Sequence, residues 1–124
     1  MSKTNSDYNI DLSIQYGHEE LIDVTKIAKA ATQKWSNKTL TKVNNSVVRL
    51  GVIEGEFHWH KHDNDDEFFF VQEGQLLIDL EGRTVTLDAG QGMTVGKGVM
   101  HRTRAPKRTV ILMVETAEIQ PVGD

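Results

Sequence analysis

The sequence predicts an all-β fold, a sandwich or a barrel, and two observations carry that reading. From Ser46 onward, short apolar or alternating runs recur at roughly ten-residue spacing, separated by glycine- or proline-containing turn signals. The one stretch with helical periodicity lies ahead of these runs, so the crossover helices of a parallel sheet are missing.

The elements follow in order. Residues 1–20 form an N-terminal arm, rich in Ser, Asn and Asp, that reads as loose or strand-forming. Residues 21–124 read as one domain. Val24, Ile27, Ala28 and Ala31 recur at helical spacing, which predicts a short amphipathic helix over Asp23–Thr32 with Asp23 as its cap. Asn37, Asn44 and Asn45 punctuate the exit. Strands are expected at Val47–Ile53, Glu67–Val71, Gln75–Leu80, Thr84–Leu87, Met93–Val95 and Val110–Glu115. Turns are expected at Glu54-Gly55, Glu73-Gly74, Glu81-Gly82, Ala89-Gly90 and Ala105-Pro106.

Composition narrows the function classes. A chain of 124 residues supports one core, and 38% apolar with 26% charged residues is ordinary for a globular protein. The net charge of -4 argues against a nucleic-acid-binding face, which needs a basic surface. With no cysteine there is neither a disulfide framework nor a thiolate metal site. No run approaches the ~20 apolar residues of a membrane span, and Met1–Leu12 lacks the apolar core of a signal peptide. A cytoplasmic protein is the expectation.

Four of the five histidines lie in the strand region, and three crowd into His58-Trp59-His60-Lys61-His62. In a strand, residues 58, 60 and 62 share one face, so two imidazoles there can chelate one ion. Glu67 follows the polar turn Asp63-Asn64-Asp65-Asp66 and opens the apolar run Phe68-Phe69-Phe70-Val71. A carboxylate there faces back at the histidines and adds a harder oxygen ligand to the imidazoles. The acidic turn lacks the glycine and distal glutamate of a calcium-binding loop.

These spacings resemble the cupins. His60-x-His62, four residues, Glu67, six residues and Gly74 match the first cupin signature. The second appears as Gly90 through His101, with Gly96 where the usual proline stands and Ala105 at the position often held by asparagine. The glycine that commonly precedes the first signature appears as Gly55, one residue nearer than usual. Trp35-Ser36 with Lys38, Gly55-Glu56-Phe57, Trp59-His60, Glu67-Phe68 and Gly123-Asp124 further resemble small, uncharacterised bacterial cupins sometimes labelled mannose-6-phosphate-isomerase-like.

The resemblance implies a double-stranded β-helix, a jelly-roll barrel with a short N-terminal helix. It also implies one divalent transition metal ion per chain (Fe, Mn, Ni, Zn, Co or Cu) held by His60, His62, Glu67 and His101. The implied function is a metal-dependent enzyme acting on a small organic or sugar-like molecule, of dioxygenase or isomerase and lyase type. The competing class is a non-catalytic metal or small-ligand module such as a sensor. His58 shares the face of the ligands and is the candidate general base. Phe69 and Val71 share the parity of Glu67 and are expected on the pocket wall. Arg102 and Arg104 should point away from the metal, as surface charges.

Parity also sends Trp59, Phe68 and Phe70 outward. Each ring removed from water contributes about 2 kcal/mol, and three together exceed what a monomer leaves bare. A homodimer is therefore expected, with the helical segment as the other possible cover.

Overall fold

The computed structural model describes residues 3–124. A 3₁₀ turn, Asn5–Tyr8, opens it and is followed by β1 (Ile10–Ile14), α1 (Val24–Ala30), β2 (Trp35–Val43) and β3 (Ser46–Glu56). Then come β4 (Glu67–Glu73), β5 (Gln75–Leu80), β6 (Arg83–Asp88), β7 (Gly92–Val95) and β8 (His101–Thr116). Pairing runs β1-β2-β3-β8-β4-β7, with β5 joining β8 and β6. All pairs are antiparallel except β1 with β2. The fold is the double-stranded β-helix.

Strand β8 organises the molecule. Its first part, His101–Arg104, pairs with Leu77–Leu80 of β5, while Val110–Val114 runs between β3 and β4. The Ala105-Pro106 turn signal lies inside this strand. The ladder to β3 shifts register there, between Ile53↔Thr109 and Gly55↔Ala105, and such an irregularity tolerates a proline that cannot donate.

β2 is a strand that alternation did not reveal, because Asn37, Lys38 and Lys42 interrupt its pattern. It is made by pairing. β2 and β3 form a hairpin closed by Asn44-Asn45, with Asn44 at φ 51 in the left-handed region that asparagine tolerates.

Two apolar layers result. The interior one joins Ile53, Phe69, Val71, Leu76, Ile78, Ile111 and Met113. The outer one seats Ala28 of α1 on Leu40, Leu50, Val52 and Val110. As expected, Asp23 caps α1, its carboxylate accepting the Lys26 N–H at 3.0 Å. The helix ends at Ala30, short of Thr32, because Ala31 is extended.

Candidate metal centre

The ligand segment is held from three sides. His60 exchanges both backbone hydrogen bonds with His101 at 2.9 Å. The Gly98 N–H donates to the His62 carbonyl at 2.7 Å, so the glycine turn braces the second histidine. Glu67 begins β4 opposite Val95. The segment 57–66 is irregular apart from the His60 bridge; β3, which runs past its expected end at Ile53, stops at Glu56, and the strand alternation argued for 58, 60 and 62 therefore does not apply.

His60, His62, Glu67 and His101 nevertheless converge. One ligand atom from each lies within 4.8 Å of the others, and all four residues are buried. Glu67 Oε1 lies 3.5 Å from His62 Nε2 and 3.6 Å from His101 Nε2. His60 Nδ1 donates to the His58 carbonyl at 3.0 Å and His101 Nδ1 to the Val99 carbonyl at 2.9 Å. These bonds fix the tautomer and leave each Nε2 as a bare lone pair, the orientation metal-binding histidines need. His101 Nε2, both nitrogens of His62 and Glu67 Oε1 are buried without a hydrogen-bond partner. Orphaned polar atoms of this kind are costly unless something binds them. Their chemistry, three imidazoles and one carboxylate, fits a transition metal ion.

The electrostatics agree with a neutral His60 imidazole and an ionised Glu67 carboxylate. Burial, reinforced by His101, pushes the His60 pKa down to about 3. Burial alone would raise that of Glu67, but the close polar side chains of Glu115, His101 and His62 hold it below the usual carboxylate range. Glu115 is opposite in direction: burial, then the charge of Glu67, pushes it well above the ordinary value.

Glu115 and Arg49 are the residues that sequence reasoning missed. The β4–β8 ladder begins at Phe68 and Val114, which sets Glu67 and Glu115 at the same end of it, and Arg49 Nε lies 2.9 Å from Glu115 Oε1 with both side chains almost wholly buried. An Arg–Glu–Glu chain thus backs the ligand cluster. No local motif marks it, because it is made by register across three strands.

His58 stands outside the four. Its Nε2 donates to the Val122 carbonyl at 2.7 Å, and its Nδ1 accepts from the Tyr8 hydroxyl at 2.9 Å. Its ring stacks on Phe57, and Tyr8 stacks behind it. The segment 119–124 closes over the same place. Gly123, at φ 97, packs so tightly on His60 that a Cβ there would sit 2.6 Å from the His60 Cβ. Asp124 accepts the Asp63 N–H at 2.7 Å and donates its own N–H to the Lys61 carbonyl at 3.0 Å.

A cavity of about 30 Å³ opens beside His60 and Glu67, walled by Trp35, Asn37, Gly51, Phe69, Thr103 and neighbours. Phe69 is on this wall. Val71 has the same parity but sits beyond it, fully buried in the core with Leu76 and Ile78. Outside, an open hollow of about 560 Å³ runs between Trp59 and Met100 on one side and Val122 and Gly123 on the other. His60 is part of both walls. Arg102 and Arg104 turn instead to Asp79, which they clamp at 2.7 and 2.6 Å.

Comparison with known proteins places this architecture. The cupin domain matches residues 46–115. The uncharacterised protein YdbB of Bacillus subtilis is 42% identical over 97 residues, covering 77% of this chain and 86% of YdbB. A crystal structure of a cupin-2 domain protein from Shewanella frigidimarina superposes with a TM-score of 0.74 at 33% identity, covering 77% of this chain and 94% of that one. The Neisseria meningitidis protein NMB1881 shares the fold, with a TM-score of 0.70 at 24% identity over 78% of this chain and 99% of its own. The chain belongs to the cupin family.

Proposed function

We propose that the protein is a metal-dependent enzyme that holds one divalent transition metal through His60, His62, Glu67 and His101 and acts on a small organic or sugar-like molecule. The observation that carries this reading is the convergence of four buried ligand atoms, most of them without a hydrogen-bond partner, beside a cavity. Four protein ligands on a six-coordinate ion leave positions for substrate, and such an ion supplies Lewis-acid polarisation of a bound oxygen. The chain's own residues do the rest. Glu67 carries the negative charge of the site, Nδ1 bonds orient His60 and His101, and the apolar wall around Phe69 excludes water. His58 is the proposed catalytic residue outside the ligand set. With Nε2 donating to the Val122 carbonyl, Nδ1 is the nitrogen that takes up a proton, and it does so once the Tyr8 hydroxyl, which donates to it, turns away.

Elemental analysis of protein purified without added metal tests the centre. Wild type is expected to carry close to one transition metal per chain and the His60→Ala, His62→Ala variant almost none. Full occupancy in the variant would remove the assignment. Native mass spectrometry of the wild type then reads any retained organic ligand.

A homodimer is proposed as the assembly. Phe68 and Val114 are cross-strand neighbours on the outer face of β4 and β8, and both are substantially exposed. Trp59 is exposed too but belongs to a different surface, beside Arg102 at the opposite end of β8, with that guanidinium 5.4 Å from its ring centre.

A further inference from the structure

The cavity wall holds two residues that strands disfavour, placed opposite each other. Asn37 in β2 pairs with Gly51 in β3, and asparagine and glycine are both depleted in strand interiors. Neither is explained by a turn: both have regular ladder partners on each side. Both line the cavity that also touches His60 and Glu67. At Gly51 the missing side chain leaves a space already narrow, since a Cβ there would meet Ile111 Cγ1 at 2.9 Å and Met113 Cε at 3.3 Å. Any side chain at 51 would take cavity space.

Asn37 is the more informative of the two. Its side chain is nine-tenths buried, and its Oδ1 has no hydrogen-bond partner. The backbone around it is fully tied: its N–H donates to the Asn9 carbonyl at 3.2 Å, and β1 and β3 flank it. The backbone is therefore positioned firmly and the amide oxygen left unsatisfied, in a wall otherwise dominated by Trp35, Ile53, Phe57, Phe69, Ile111 and Met113. An apolar side chain of similar size would avoid that cost. The buried Thr103 adds a hydroxyl to the same wall.

We infer that Asn37 is a specificity-determining residue that takes a hydroxyl of the ligand inserted into the cavity, while the rest of the molecule stays outside it at the metal, where His60 and Glu67 border the cavity. This rests on the metal reading proposed above. The amide oxygen requires a donor, and the amide as a whole offers both an acceptor and a donor. A hydroxyl satisfies either with one atom. The size agrees, because about 30 Å³ admits a group of water or hydroxyl dimensions and excludes a whole sugar ring. The ligand class is thus a small hydroxylated compound that inserts one hydroxyl beside Asn37.

Binding of glycolate and of acetate to cobalt-loaded protein, measured by calorimetry, tests this, since the two differ by that hydroxyl. Wild type is expected to bind glycolate about tenfold more tightly, the scale of one hydrogen bond in a dry site. Asn37→Leu should bring the two affinities within about threefold while cobalt content stays at the wild-type level. Asn37→Ala, which removes bulk and cannot overpack the cavity, should do the same. Persistence of the glycolate preference in a folded, cobalt-loaded variant would mean that the metal alone reads the hydroxyl, and would overturn the role of Asn37. Equal affinities in wild type would overturn it as well. Failure of the wild type to take up cobalt is a separate result, one that removes the metal reading on which this rests.

Discussion

His60 is kept neutral by the fold, and acid should therefore act on the folded state through it. In the unfolded chain its ordinary value is 6.5, and in the folded protein it lies near 3. Between those values the unfolded state binds a proton that the folded state refuses, so the contribution of His60 to stability is present above pH 6.5 and is lost as the pH falls toward 3. Urea unfolding of chelator-treated protein should show midpoints falling from pH 7 to pH 4. One such group accounts for at most about 1.4 kcal/mol per pH unit. The His60→Gln variant should lose part of that slope; identical slopes would show that His60 is not the group. At this scale the buried cluster was legible, because His60, His62, Glu67 and His101 carry distinctive chemistry at a fixed spacing. Asn37 was not. In one dimension an asparagine amid polar residues reads as punctuation, and only its pairing with Gly51 across the hairpin shows it on a cavity wall. Arg49 and Glu115 were hidden for the same reason: residues far apart in sequence become partners through register.

Among the elements, those bounded by glycine turns were read nearly to the residue. Gln75–Leu80 coincides with β5, and Asp23 caps α1 as expected. The strands that escaped are those whose stability comes from neighbours. β2 lacks alternation, and the first half of β8 carries Arg102, Arg104 and Pro106, yet both lie against established strands and complete their ladders. The outer face of β4 and β8 bears on assembly. Val48, Val114 and Phe68 form one cross-strand row, and Leu50, Leu112 and Phe70 form the next. α1 packs on the second row at Leu50 and Leu112, while Phe68 and Val114 stay exposed. The helix thus covers only part of this face, and a second copy is the proposed cover for the rest. Sedimentation should give a dimer for wild type and a shift toward monomer for Phe68→Asp. A monomeric wild type would end the dimer proposal, and an unchanged dimer in the variant would move the interface elsewhere.

Across the whole molecule, the two ends of the described chain meet at one histidine. Tyr8 from the first turn and Val122 from the last segment hold the two nitrogens of His58, and Gly123 and Asp124 lock the backbone on either side of His60 and Lys61. Docking of the segment 119–124 and occupation of the ligand cluster therefore favour the same arrangement of residues 58–63. Two events that favour one arrangement strengthen each other by an equal factor, whichever comes first. Metal should slow exchange of the Asp124 amide proton, and removal of residues 119–124 should weaken metal binding by a matching ratio. Exchange at Asp124 that ignores added zinc would show the two to be independent. Otherwise, the last six residues report on the metal without touching it, and a protease trimming them would act as an antagonist of metal uptake.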